Sequence, residues 1–204
     1  DVFVEKPLAL SVPEGEALVD LAARQNRILM VGHLLQYHPA LKKLKELIQQ
    51  GELGKISYVY SNRLNFGRIR SEENILWSFA PHDISAILGL LDEVPHRVSS
   101  VGGNYLHKSV ADVTVSYFQF RSGTNAHIFV SWLHPFKEQK LVVVGERQMA
   151  VFDDVSSGHK LLLYPHRISW VNRQPVPEKA LGVPVEFPVK EPLKEECLHF
   201  LDCI

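Results

Sequence analysis

The sequence predicts a chain in two parts: the remnant of a parallel, doubly wound α/β domain, then an α+β domain with a large, mostly antiparallel open sheet. Three observations favour this prediction. Unbroken apolar strands alternate with helices over the first fifty residues. From Lys55 onward, apolar and polar residues alternate within the strands. Two long strands of this second part meet at Ser122-Gly123, a pair typical of a hairpin turn.

The first fifty residues read strand, helix, strand, helix. VFVE at residues 2–5 is apolar and rich in β-branched side chains, which predicts a buried strand. Ser11 with Glu14 three residues later forms a capping box at the start of a helix. The apolar run at residues 28–35 predicts a second buried strand, followed by a helix at 39–50. Such strands with a crossover helix belong to a parallel sheet that is covered on both faces.

The second part begins with an alternating strand at residues 55–65 and then forms a sheet. We expect its apolar face to consist of Ile56, Tyr58, Tyr60 and Leu64. In the segment WSFAPHDISAILGLL, Pro81 marks the expected first turn of a helix. Further strands are predicted at residues 97–102, 112–121, 125–133, 140–144, 149–152 and 160–164. A proline-rich stretch at 174–192 precedes a last amphipathic helix.

Composition limits the classes of function. The chain has 204 residues, 46% hydrophobic content and a formal net charge of -1, with no lysine or arginine block, so we expect no nucleic-acid surface. No apolar run is long enough for a membrane span, and no signal peptide is evident. Cys197 and Cys203 are spaced for different helix faces, which favours a reducing, cytoplasmic setting. The histidines and cysteines lack metal-site spacing, so no metal is expected.

Both ends of the chain are abrupt. A core strand begins at residue 2, and Ile204 falls on the apolar stripe of a helix without a stop signal. We therefore interpret the chain as a piece of a longer protein, truncated at both ends.

Three motifs in this order resemble the Gfo/Idh/MocA oxidoreductases, the family of glucose-fructose oxidoreductase and inositol dehydrogenase. They are VFVEKPLALS with the helix after it, LMVGHLLQYHPALKKLKELI, and WSFAPHDISAILGLL. The resemblance implies that residues 1–36 are the C-terminal part of a Rossmann domain for NAD or NADP. It also implies that residues 37–204 form a substrate-binding and oligomerisation domain. The Gly-x-Gly-x-x-Gly fingerprint is absent, so this chain alone should bind NAD poorly and be inactive.

Lys6 and His82 are the catalytic candidates. Lys6 ends a parallel strand, where ligands of such sheets bind, and the resemblance implies that it contacts the reacting hydroxyl near the nicotinamide. A cation there stabilises the alkoxide character that develops during hydride transfer. His82, placed by the sequence at a helix start, matches the family's presumed general acid/base. Glu5, Lys6 and Pro7 are the implied cofactor-side residues, and Pro7 is a candidate for a cis peptide bond.

Other candidates have structural alternatives of equal or greater weight. Tyr37 and Trp77 are possible substrate contacts by stacking, and Arg63 is a possible anion contact. For each, packing or a solvated surface position is the better or an equal explanation. Many relatives carry an aspartate four residues before the histidine, where this chain has Ser78. Asp83 is adjacent in sequence, but neighbouring helical residues diverge by about 100°, so it should face elsewhere.

Two functions of different classes remain at this stage. The first is an NAD(P)-dependent dehydrogenase acting on a sugar, nucleotide sugar or polyol. The second is a non-catalytic binding or regulatory protein that retains the family scaffold. We also expect a homodimer or homotetramer through an open sheet face that contains several aromatic residues: Tyr117, Phe118, Phe120, Phe129 and Trp132.

Overall fold

A computed structural model describes all residues of the chain, 1–204. Along the chain, the elements are β1 (Val2–Glu5), α1 (Val12–Arg24), β2 (Leu29–Gly32), a 3₁₀ helix (Leu34–Tyr37), α2 (Pro39–Gln49), β3 (Ile56–Leu64), α3 (Ile75–Leu91), β4 (Arg97–Gly103), β5 (Val113–Gln119), β6 (Asn125–Ser131), β7 (Glu138–Gly145), β8 (Met149–Asp153), β9 (Leu161–Tyr164), β10 (Arg167–Val171), β11 (Gln174–Glu178), β12 (Val183–Pro184) and α4 (Pro192–Cys203). None of the four α-helices has the length and apolar content that a membrane crossing requires.

The first part is a two-stranded parallel sheet. β1 pairs with β2 in a register that sets Glu5 beside Gly32, as the apolar runs predicted. Ser11 caps α1 by accepting the N–H of Glu14 at 3.4 Å. β2 is shorter than predicted, because the chain turns into the 3₁₀ helix at Leu34. The prediction that β1 is buried is wrong, since its two end residues are exposed, and α1 has no buried residue.

The second part is dominated by one eight-stranded sheet. Its strand order is β12-β9-β8-β7-β3-β6-β5-β4. β3 pairs in parallel with β6 and antiparallel with β7, and every other pairing in this sheet is antiparallel. The predicted α+β domain with a large, mostly antiparallel sheet is therefore confirmed.

The core lies between α2, α3 and one face of this sheet. It includes Leu44, Val59, Ile87 and Trp132, all almost fully buried. The predicted faces of β3 are wrong: Val59 and Ser61 are buried against the helices, whereas Tyr58 and Tyr60 flank His127 on the other face. A register shift between Ile56 and Tyr58 separates the first residue of β3 from the alternation of the rest.

Three of the five aromatics expected on an open face lie in the core instead. Phe118, Phe120 and Trp132 are each less than a tenth exposed. Tyr117 and Phe129 alternate with core residues along β5 and β6 and lie on the face without helices. The open face is therefore less aromatic than predicted.

Helix α3 begins six residues before the predicted start. Asn74 caps it by accepting the N–H of Trp77 at 3.0 Å, and Pro81 lies inside the helix. Proline is commonest in the first helical turn, so a proline inside a longer helix makes the predicted helix start too late. His82 is consequently in the third turn of α3.

Two features near the C-terminus complete the fold. β10 and β11 form a separate hairpin that sequence analysis missed, since Pro175 and Pro177 disguise the second strand. Helix α4 packs back on the first part of the chain. The rings of Phe3 and Phe200 stack with centroids 5.4 Å apart, so the first strand and the last helix are in contact.

Candidate active site

Lys6 links the end of β1 to α3. Its ammonium group donates a hydrogen bond to the carbonyl oxygen of Ser78 at 3.1 Å. Ser78 lies four residues, about one turn, before His82 in the same helix. The Lys6–Pro7 peptide bond is cis, as the sequence led us to expect. The structure therefore brings the strand end that carries Lys6 to the segment of α3 that carries His82.

His82 is held in its neutral form. Burial, followed by the nearby positive charges of Arg63 and Lys6, lowers its pKa to about 4, although Asp83 opposes the shift. At pH 7 the imidazole therefore has a free lone pair and can accept a proton. His82 lies in the third turn of α3 and not at the predicted helix start, so burial and neighbouring cations, and not a helix N-terminus, are the causes of its low pKa.

The side chain next to His82 points into the protein. Asp83 accepts hydrogen bonds from Arg63 Nε at 2.6 Å and from Ser61 Oγ at 2.6 Å. Asp83 is 2% exposed, so this is a buried ion pair with good geometry. It fixes the rotation of α3 about its axis. Asp83 thus faces the sheet, as expected from helix geometry. Arg63 donates hydrogen bonds to Asp83 through Nε and one terminal nitrogen.

His33 is a site residue that the sequence analysis missed. The β1–β2 register pairs Glu5 with Gly32, which places the next residue of each strand, Lys6 and His33, at the same sheet end. Burial and the Lys6 charge lower the pKa of His33, whereas Glu5 raises it. Its Nδ1 atom is buried without a hydrogen-bond partner. The signal that could have found it is its position directly after a parallel strand.

A cavity of about 470 Å³ lies between the 3₁₀ helix region and α3. Its lining is mostly apolar: His33, Gln36, Leu76, Trp77, Pro81, Ile84, Ser85 and Leu88. Trp77 is 43% exposed at this cavity, where an aromatic face is available for stacking. Neither Lys6 nor His82 lines the cavity, and His33, which lies close enough to feel the charge of Lys6, is the lining residue nearest to the catalytic candidates along the sheet end.

Tyr37 lies away from this cavity. Its hydroxyl is hydrogen-bonded to Nδ1 of His199 in α4 at 2.7 Å, and Lys42 lies over its ring. His38, the next residue, caps α2 by accepting the N–H of Ala40, and its Nε2 lies 3.6 Å from a carboxylate oxygen of Asp154. Of the predicted site residues, the structure therefore groups Lys6, Trp77, His82 and Arg63 around one stretch of α3 and leaves Tyr37 at the α4 contact.

The residues present fit the reacting end of a nicotinamide cofactor. Glu5 and Pro7 are exposed on either side of Lys6, and the orphaned nitrogen of His33 lies at the same strand ends. A Cβ atom on Gly32 would come within 2.8 Å of the Glu5 carboxylate, so this glycine lets the Glu5 side chain lie against the end of β2. These features resemble the carboxyl-end crevice in which parallel sheets bind ligands.

Comparison with curated proteins gives relatives with different activities. A UDP-N-acetylglucosamine 3-dehydrogenase of Acidithiobacillus ferrooxidans is 28% identical over 130 residues, 63% of this chain and 40% of that protein. A scyllo-inositol 2-dehydrogenase (NAD(+)) of Bacillus subtilis is 28% identical over 145 residues, 66% of this chain and 42% of its own length. A 2,7-anhydro-N-acetylneuraminate hydratase of Mediterraneibacter gnavus is 23% identical over 175 residues, 79% of this chain and 47% of that protein. The chain thus spans less than half of each relative.

Solved structures and family models agree with the fold. The structure of the Acidithiobacillus dehydrogenase superposes with a TM-score of 0.80 at 23% identity, covering 98% of this chain and 61% of that chain. Residues 1–33 match the oxidoreductase family model described as an NAD-binding Rossmann fold. Residues 41–151, more than half of the chain, match the GFO/IDH/MocA C-terminal domain. The chain therefore belongs to the Gfo/Idh/MocA family of NAD(P)-dependent oxidoreductases, as its motifs predicted.

Proposed function

We propose that the full-length protein is an NAD(P)-dependent dehydrogenase that oxidises a hydroxyl of a sugar, nucleotide sugar or polyol. One observation carries the proposal: the Lys6 ammonium binds the carbonyl of Ser78, one helical turn from a neutral His82. A cation and a proton acceptor at one junction are what alcohol oxidation needs. The names of the two dehydrogenase relatives support the same substrate class.

In this proposal His82 is the general base and Lys6 provides electrostatic stabilisation. His82 takes the hydroxyl proton as the carbon–oxygen bond gains double-bond character. Lys6 stabilises the negative charge that develops on the oxygen, an electrostatic effect that is strong where water is excluded. Bound NAD(P) would accept the hydride from the carbon. Because the pKa of His82 is low, no proton has to leave the ring before it can act at neutral pH.

Other residues are assigned by position. Glu5 and Pro7 flank Lys6 and are proposed to meet the cofactor, which places the cofactor-binding unit at residues 1–36. Residues 37–204 would then bind substrate and partner subunits. Trp77 is proposed to stack on the substrate. Arg63, bound to Asp83, is proposed to act on the substrate only through the N–H groups that this ion pair leaves free.

Assembly is proposed to use the sheet face without helices. Tyr117 is 38% exposed and Val115 is 39% exposed there, with Tyr58, Tyr60 and Phe129 beside them. A face of this composition buried between two copies forms a homodimer, and a second contact gives a tetramer. Light scattering should therefore report at least a dimer at micromolar concentration, and a monomer would refute this assembly.

The experiment for the catalytic proposal is a turnover screen of the full-length protein. NAD and NADP are each offered with myo-inositol, scyllo-inositol, glucose and UDP-N-acetylglucosamine, and NAD(P)H absorbance is followed. Lys6→Met should abolish most turnover, whereas His159→Asn, at an exposed loop, should not change it. Absence of reduced cofactor with every compound would contradict the proposal, and hydration without net redox would favour the chemistry named for the Mediterraneibacter relative.

The 204 residues alone should bind NAD weakly. The glycine-rich turn and following helix that hold the pyrophosphate in this fold are not in the sequence, so the phosphates have no helix N-terminus to meet. Calorimetry on this chain should give a dissociation constant for NAD of about 1 mM or higher, which corresponds to a binding free energy no more favourable than about -4 kcal/mol. Tighter binding would show that the remaining residues form a complete cofactor site.

A further inference from the structure

Asp83 is a buried carboxylate beside the proposed proton acceptor, and it has no part in the reaction steps proposed above. Its two oxygens meet Arg63 side-on, with Oδ2 at 2.6 Å from Nε and Oδ1 at 3.3 Å from a terminal nitrogen. The side chains of Arg63 and Asp83 are only 12% and 4% exposed. Apolar residues in place of such a buried pair often leave a protein equally stable or more stable. Stability alone therefore does not account for this ion pair next to His82.

Both partners of Asp83 lie on the helix-facing side of β3, a central strand of the eight-stranded sheet. Ser61 Oγ donates to Asp83 Oδ1 at 2.6 Å. The other terminal nitrogen of Arg63 lies 3.2 Å from the amide oxygen of Gln139 in β7, in the amide orientation that also pairs the Gln139 nitrogen. All three guanidinium nitrogens therefore donate within the chain. A carboxylate held by such a network is fixed to the sheet, and it gives α3 one defined rotation.

The direction of the His82 side chain follows from this rotation. Neighbouring helical residues diverge by about 100°, so a fixed Asp83 also fixes the sector around the helix that His82 occupies. Earlier in α3, the carbonyl of Ser78 accepts the Lys6 ammonium at 3.1 Å. Helix α3 is thus held at two points that bracket His82 in the sequence, by the end of β1 at Ser78 and by the sheet at Asp83. Support of this kind gives a reacting group the placement to within about 0.5 Å that catalysis needs.

We propose that Arg63 and Asp83 are positioning residues for the proton transfer to His82: Asp83 locks the rotation of α3, and Arg63 both holds Asp83 on the sheet and places its charge near the ring. This inference rests on the proposed function, which makes His82 the general base. In this role neither residue has to contact the substrate or the cofactor. The pair acts through His82, so its removal should affect turnover more than substrate affinity.

The charges around His82 provide a readout that a merely structural ion pair would not move. Arg63 on β3 opposes a proton on the ring, whereas Asp83 favours it. Lys6 and His33, at the ends of β1 and β2, also oppose it. Arg63→Met removes one of these cations and should raise the pKa of His82 above its value of about 4. Arg63→Lys keeps a positive charge but loses the two-nitrogen contact, so the pKa should stay low while the hold on Asp83 weakens.

NMR titration of the histidine rings in the full-length protein measures this readout without turnover. His82→Asn identifies the signal of the ring. We expect a raised pKa of His82 in Arg63→Met and an unchanged pKa in Arg63→Lys. Lys190→Met, which removes the cation of the exposed pair with Glu195, is the control and should also leave the pKa unchanged. No rise in Arg63→Met overturns the proposal, because Arg63 would then not act on the ring.

Steady-state kinetics of the full-length enzyme test the hold on α3, with a compound that the wild type oxidises. The double variant Arg63→Met with Asp83→Leu removes the pair without leaving an unpaired buried charge. It should lower kcat roughly 10²-fold with a smaller change in KM, because a small displacement of a reacting group is enough for such a loss. Its melting temperature should stay within a few degrees of the wild type. Arg63→Lys should lower kcat roughly 10-fold, and it supplies the same measurement if the double variant does not fold.

The matched control is Lys190→Met with Glu195→Leu, which removes an exposed ion pair and should keep normal turnover. A folded Arg63→Met and Asp83→Leu variant with normal kcat overturns the proposal, and so does Arg63→Lys with full turnover. If the wild type oxidises no compound, the proposed function fails instead. The pKa of His82 in Arg63→Met then decides alone whether the pair acts on the ring.

Discussion

Asp112 and Glu196 are both almost fully buried, but their surroundings shift the pKa values of the two carboxyl groups in opposite directions. Asp112, just before β5, accepts the N–H groups of Tyr105 and Leu106 at 2.7 and 2.8 Å and the indole N–H of Trp132 at 2.6 Å. Burial would raise its pKa, but these three hydrogen bonds lower it below its usual value. Glu196 has one oxygen with no partner, and burial together with Glu5 raises its pKa.

The difference separates a structural carboxylate from a functional candidate. Both oxygens of Asp112 accept hydrogen bonds, so the group ties the loop before β5 to a buried tryptophan. At the corner of Lys6, His33 and Glu196, polar atoms are left over. Partly satisfied buried polar groups are costly, and they persist where a ligand or reaction uses them. Stability should therefore depend on the first region and activity on the second.

The largest expected effect is on turnover at the corner. His82→Asn in the full-length enzyme should lower kcat roughly 10²–10⁴-fold, the usual contribution of a general base, with a smaller effect on KM. The melting temperature should change little, because the ring is not part of the Asp83 ion pair. Steady-state kinetics and calorimetry on the same preparation check both points. Unchanged turnover would remove His82 from the mechanism.

Asp112→Ala should affect stability in place of activity. It leaves two backbone N–H groups and the buried indole of Trp132 without an acceptor, which costs about 3–5 kcal/mol of unfolding free energy. Urea titration would measure the loss, with Asp20→Ala on the exposed surface of α1 as the control for aspartate removal. A loss below that of the control would mean that the two regions do not differ as described.

Acid should destabilise the chain through His82. Between pH 6.5 and about 4 the unfolded histidine binds a proton and the folded one does not, so stability falls as pH falls through this window. We expect roughly 1–2 kcal/mol, reduced from the full shift because the ring is partly exposed. Unfolding curves at several pH values should show that wild type loses this stability relative to His82→Asn between pH 6.5 and about 4. Parallel curves would contradict the low pKa.

The smallest effect is expected for Glu196→Gln. Its carboxylate is already disfavoured by burial, so a neutral amide of the same shape should change the unfolding free energy by less than about 1 kcal/mol at pH 7. A slight gain in stability is compatible with this account. A loss as large as that of Asp112→Ala would make Glu196 a structural carboxylate too and would erase the contrast between the two regions.

Elements whose apolar residues follow one helical or strand period were predicted correctly in type from the sequence. The two apolar strands, the capped helix after Ser11 and the antiparallel strands formed at or near the predicted positions, because apolar periodicity and capping are local signals. β2 nevertheless ends early, and neither β1 nor α1 contains a fully buried residue. The faces of β3 were not predictable in this way. Ser61 is buried because Asp83, distant in sequence, supplies its hydrogen bond. A buried polar residue such as Ser61 breaks the alternation of apolar and polar residues from which the faces of a strand are predicted.

The candidate site shows the same limit. Lys6 and His82 came from motif resemblance, and the contact of Lys6 with α3, the helix that carries His82, then followed from the structure. His33 and Glu196 are separated by most of the chain, and no spacing rule links them. The start of α3 was misplaced because Pro81 has a strong local preference that tertiary packing overrides. Residues whose role depends on distant partners are those that a single sequence does not reveal.

The contact between Phe3 and Phe200 has a consequence for the order of synthesis. Strand β1 is covered by helix α4, which follows the eight-stranded sheet along the chain, so the sheet can emerge from the ribosome and assemble before this contact forms. Contacts between residues so far apart in sequence form late, since a long loop must close before they contribute. A chain that ends between residues 184 and 192 would therefore contain every strand of the sheet and both Lys6 and His82, yet lack helix α4 with its Glu196.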